Sequence, residues 1–255
     1  MPLNCVARAF CLTQPGTDTE MTFANTYITP VDPEHLKFLT MLQLKLETYY
    51  DINPPYSISE FVCHSAQVET GSSSCKGTTP EMLIYREDGT NLDISLFLNP
   101  SLLQDISIDN YKTNWTGEIF NNGCIVLEGV SHFLYMVFNA HYDRQVSMLD
   151  LEIQAEIDKF LFSVLDTDHT DSPDVLIQRL FCDVSYRDDL SDTLRYRYEQ
   201  ANDLAHSYCQ WLHDNFTLVA NNKSLLAEVG SLYRTNGTAR QEHIRRVTMP
   251  VRLTG

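Results

Sequence analysis

Residues 119–140 read IFNNGCIVLEGVSHFLYMVFNA, and no other stretch so narrows what this chain can fold into. A segment apolar on every side has to lie inside the core, with the remaining elements built around it. β-branched and aromatic residues, together with Gly123 and Gly129, favour a hairpin. Its strands would be Ile119–Leu127 and Ser131–Asn139, turning at Glu128-Gly129. A single helix is the alternative. The choice also decides chemistry. On a helix Glu128 and His132 stand one turn apart on one face, whereas a hairpin puts Glu128 in the turn and breaks the pair.

The flanking elements are easier to read. Asp32-Pro33-Glu34 combines an N-cap, a first-turn proline and an acid, which predicts a helix to about Tyr50. Met82–Arg86 and Leu92–Leu98 around Asp88-Gly89 predict a hairpin. Asn99-Pro100 caps a short helix over Ser101–Ile106, and Thr22–Thr29 reads as a short strand. From Ser147 onward the pattern is helical. Ser147-Met148-Leu149-Asp150 is a capping box opening a helix to about Leu165. Further helices are expected over Val175–Val184, from Ser191 to about Phe216, over Ser224–Tyr233, and from the Thr238–Gln241 box to about Val247. The fold class is therefore α+β: a small antiparallel sheet (hairpins 82–98 and 119–139) packed with helices, and a helical C-terminal half. Residues 1–255 are expected to form a single domain, with an N-terminal arm 1–20, a sheet-plus-helix part 21–165 and a helical part 172–255.

Charge excludes some functions. The 255 residues carry a formal charge of −16. Five arginines (Arg234, Arg240, Arg245, Arg246, Arg252) against one acid make Val229–Gly255 net +4, so the first 228 residues carry −20. So acidic a body argues against nucleic acid and anionic membrane as partners. The basic segment either packs back onto the body or docks on an acidic protein partner. Seven cysteines, an odd number with no C-x-x-C pair, predict reduced thiols and a cytoplasmic location. Glycine-rich phosphate loops, the serine-hydrolase G-x-S-x-G and H-E-x-x-H are absent.

Several groups of residues remain as candidate chemistry. Glu128 and His132, with Glu156 and its neighbour Glu152 on the next helix, offer carboxylates and an imidazole for acid–base work or for a divalent metal. His206, Cys209 and His213 point in one direction on the long helix and are a second metal candidate, for Zn²⁺ or another divalent ion. Seven residues separate the two histidines, about 10.5 Å along a helix axis, so one ion takes all three only with strain. Asp166–Asp171 begins like a calcium loop but lacks its sixth-position glycine and twelfth-position glutamate. Cys75, beside Lys76, has only His64 as a nearby imidazole. These readings predict an accessory or interaction protein, acidic with a basic C-terminal helix and no cofactor. The alternative is an enzyme with a carboxylate/histidine site performing metal-assisted hydrolysis.

Overall fold

The computed structural model describes residues 5–7, 31–63, 80–88, 91–168, 171–186, 188 and 190–249. Strand β1 is Cys5–Ala7 and helix α1 is Pro33–Tyr50. Strands β2 (Val62–Cys63), β3 (Glu81–Asp88) and β4 (Asn91–Leu98) follow. The helices α2 (Gly117–His141), α3 (Met148–Leu165) and α4 (Pro173–Ile177) come next, then strand β5 (Val184–Tyr186). Helices α5 (Asp192–Asn215), α6 (Lys223–Tyr233) and α7 (Gly237–Thr248) complete the described chain. The α+β class and the helical C-terminal half are as expected.

Residues 119–140 are not a hairpin. They form α2, a 25-residue helix, so the predicted second hairpin is replaced by the central helix of the core. The glycines that read as turn markers serve helix packing instead. A Cβ at Gly123 would stand 2.1 Å from the ring of Trp115, and one at Gly129 would stand 2.9 Å from the Glu81 side chain. Strand-like composition was misleading because a helix buried all round shows no polar face to reveal its period. An 18-residue window of α2 has the length and mean hydropathy (1.3) of a membrane span, but 83% of it is buried inside the molecule.

The sheet is correspondingly smaller and mixed, in the order β2-β4-β3. β3 and β4 pair antiparallel from Glu81↔Leu98 to Asp88↔Asn91, and β2 adds a parallel edge. Alternation puts Glu81, Leu83 and Tyr85 on one face with Leu96 and Leu98, and these residues are buried. A glutamate is thereby carried into the core against α2. Within the N-terminal arm, β1 pairs parallel with β5.

Caps explain most helix starts. The Asp32 carboxylate accepts from Glu34 N at 2.8 Å. Ser147 and Asp150 form the reciprocal box of α3, with the Asp150 N–H donating to Ser147 Oγ at 3.1 Å and Ser147 N donating to Asp150 Oδ2 at 3.2 Å. Other boundaries moved. The expected helix Ser101–Ile106 is a 3₁₀ turn, Pro100–Leu103. The expected helix Val175–Val184 is α4 followed by one π-helical turn, Gln178–Cys182, and Val184 opens β5. Asn236 rather than Thr238 stands at the N-cap of α7. Thr22–Thr29, His64 and Cys75 lie outside the described residues.

Candidate metal centre

Helices α2 and α3 are joined by a short loop and run antiparallel, with Ser131 of α2 meeting Asp158 of α3 and Trp115, just ahead of α2, meeting Ser163. Because 119–140 is helical, Glu128 and His132 do share a face, and α3 presents Glu152 to it. One ligand atom from each of Glu128, His132 and Glu152 lies within 4.8 Å of the other two, the only such group of three or more among the described residues. His132 Nε2 and Glu152 Oε2 are 3.9 Å apart, and both side chains are buried.

The surroundings are unusually rich in charge for a protein interior. Glu156, one turn beyond Glu152, does not join the three. It accepts from Lys159 Nζ at 2.6 Å, and the same ammonium donates to Glu128 Oε2 at 3.1 Å. Arg197 from α5 brings Nη2 to 3.5 Å from Glu152 Oε1. That is an ion pair without hydrogen-bond geometry, since Glu152 Oε1 and Arg197 Nε each lack a hydrogen-bond partner. Glu81, 3% exposed, reaches in from β3, and its Oε1 is buried with no hydrogen-bond partner. Gly129 leaves the space in which this carboxyl group lies against α2.

Burial sets the protonation states. It pushes Glu152 up to about 8, aided by the negative charge of Glu128 and opposed by Arg197. Burial, then Glu128 and Glu152, drives Glu81 well above the carboxylate range. Glu156 is raised by burial and held back by Lys159. His132 is lowered to about 3 by burial, then by Lys159 and Arg197, so its imidazole is neutral near pH 7. Neutral imidazole and carboxylate are the forms that bind metal. The site suits a divalent ion taking two oxygens and one nitrogen. Without a cation, burial favours the protonated form of Glu81 and Glu152.

The second sequence candidate is not brought together. Cys209 is fully buried in the core beside Tyr208 and Leu212, and burial pushes its thiol well above the ordinary range. His206 stacks on Phe181 at 5.5 Å, and His213 Nε2 pairs with Asp174 Oδ1 at 3.2 Å. Asp166, the first residue of the calcium-like stretch, is held by Lys45 and Tyr49. The described part of the basic segment is anchored on the body, because Arg234 donates to Asp51 O at 2.7 Å and Arg240 is fully buried, while Arg245 and Arg246 are exposed and Arg252 lies outside the described residues.

Sequence reading missed Glu81, Lys159 and Arg197. Two of them carried a signal. Glu81 shares a strand face with Leu83 and Tyr85, and Lys159 precedes Phe160-Leu161-Phe162 in a helix otherwise read as core. A charge at a core position asks for a partner. No protein-family model, curated protein or solved structure matches this chain.

Proposed function

We propose that this protein is a metal-dependent enzyme of the hydrolytic type, holding one divalent cation between α2 and α3 through Glu128, His132 and Glu152. The observation that carries this reading is the convergence of those three ligand atoms within 4.8 Å inside the core. Glu81 supports it, because a buried carboxyl oxygen with no hydrogen-bond partner needs either a proton or a cation.

The ion would supply Lewis acidity and lower the pKa of a bound water to about 7. The chain supplies the rest. Lys159 fixes Glu128, as a ligand must be fixed by the groups behind it. Arg197 opposes the rise that burial imposes on Glu152, and its guanidinium is partly exposed beside the ligands. Glu81 is a carboxyl group near the ligands that is suited to carry a proton to or from the reacting water.

Mn²⁺ is the cleanest probe, since it prefers carboxylate oxygens over the seven thiols. Saturating the chelator-treated protein at 100 times Kd should stabilise it by about 2.7 kcal/mol. For a chain of this size, each kcal/mol raises Tm by about 2–4 °C. The shift should vanish in Glu152→Gln and His132→Ala, together with any Mn²⁺-dependent hydrolysis of nitrophenyl esters or phosphates. A wild-type Tm indifferent to Mn²⁺ and Zn²⁺ would overturn the reading.

A further inference from the structure

We propose that Lys159 occupies the place of a second metal ion, so that the centre between α2 and α3 is built for a single divalent cation. The inference rests on the metal-binding reading above and specifies its nuclearity.

Carboxylates projecting from neighbouring helices hold the two ions of di-iron and di-manganese bundles, and two-metal sites place their ions about 3.5–4 Å apart. Here Glu128 and Glu152 flank His132, and Glu156 adds a further carboxylate one turn along α3. The space between Glu128 and Glu156, the carboxylate pair that a second cation would have to use, is filled. Lys159 Nζ sits 3.1 Å from Glu128 Oε2 and 2.6 Å from Glu156 Oε1, and its side chain is 8% exposed. An ammonium is a compact point charge with three donors, so it satisfies two carboxylates from different helices as a metal would, without a coordination demand.

Lys159 already pairs with one carboxylate from each helix, so a second divalent ion placed there would meet a buried ammonium at contact distance, which is costly.

Mn²⁺ stoichiometry on the full chain, by calorimetry and by metal analysis after desalting, tests this directly. Wild type and Lys159→Arg are expected to take one ion, and Lys159→Met two. Two ions on wild type, or one on a folded Lys159→Met, overturns the inference. Should Lys159→Met fail to fold by circular dichroism, Glu156→Gln decides. Glu156 is tied to Lys159 rather than to the ion, so this variant should keep one ion with affinity changed by less than about tenfold. A larger loss in Glu156→Gln would make Glu156 a ligand and overturn the inference. No ion on wild type would overturn the metal reading itself, an outcome distinct from a wrong stoichiometry.

Discussion

Asp158 is fully buried, and its carboxylate accepts hydrogen bonds from Tyr50 Oη, from Gln154 Nε2 at 2.8 Å and from Ser131 Oγ at 2.5 Å. Burial raises it to about 6, with the hydrogen bonds from Ser131, Tyr50 and Gln154 acting against the rise. An unfolded chain releases this proton near pH 4, whereas the folded protein holds it to about pH 6. The contribution is therefore fully present below pH 4 and is lost as pH rises through 6. Urea unfolding at pH 4.5 and pH 7.5 should show wild type losing stability relative to Asp158→Asn on going to the higher pH. A difference between the two proteins that is flat with pH would refute the assignment. Residues of this kind are hard to find in a sequence. Asp158 stands in the same helix as Asp150, Glu152 and Glu156, and only the neighbours brought by α1 and α2 separate a buried network from a solvated acidic face.

Among the elements, α2 is where sequence reading and structure part. Its composition is that of a strand pair, yet it is a helix because α3, the sheet and the segment around Trp115 surround it. Gly123 illustrates the reason. Ala is the better helix former by about 1 kcal/mol. An added Cβ would nevertheless lie 2.1 and 2.3 Å from two Trp115 ring atoms. That ring is 1% exposed, packed on Phe162, and bonded through Nε1 to Ser163 Oγ at 3.2 Å, so it cannot move aside cheaply. Overpacking should win, and Gly123→Ala is expected to lose about 1–3 kcal/mol, measurable as a lower urea midpoint. A stabilised variant would mean that propensity governs α2. By contrast, α1 and α3 were legible to within a residue, because Asp32-Pro33 and Ser147–Asp150 are local signals that act through the backbone of their own first turn. The α4 segment was misjudged for the opposite reason. β5, which ends the helical segment at Val184, is set by its pairing with β1, far along the chain.

At the scale of the whole molecule, α7 closes the core through one buried cation. Arg240 Nη1 donates to Tyr135 Oη at 3.0 Å, Nη2 donates to Gln154 Oε1 at 2.5 Å, and the guanidinium lies over the Tyr135 ring. Gly237 N, at the start of the same helix, donates to both oxygens of Asp150 at 3.0 Å, where the helix dipole favours a carboxylate. Arg240 thus joins α7 to α2 and α3, the two helices that carry the candidate ligands. Arg240→Ala would leave those buried acceptors unpaired, and the expected loss is about 2–4 kcal/mol. Thermal unfolding checks this, with Arg245→Ala, an exposed neighbour, expected to stay near wild type. Equal effects at the two positions would count against the pin.

The sequence by itself determined the α+β class, the first hairpin, the capped helices, the division of charge between body and C-terminal segment, and the pairing of Glu128 with His132 as a conditional candidate. These are local properties, written in spacing, caps and turn chemistry. Only the tertiary structure decided that 119–140 is a helix, that Glu152 rather than Glu156 completes the trio, and that Glu81, Lys159 and Arg197 surround it. It also separated His206, Cys209 and His213. The reason is physical: a helix buried on every side has no periodic signature. A site assembled from a strand and three helices owes its charge balance to contacts more than 20 residues apart, such as Glu128 with Lys159.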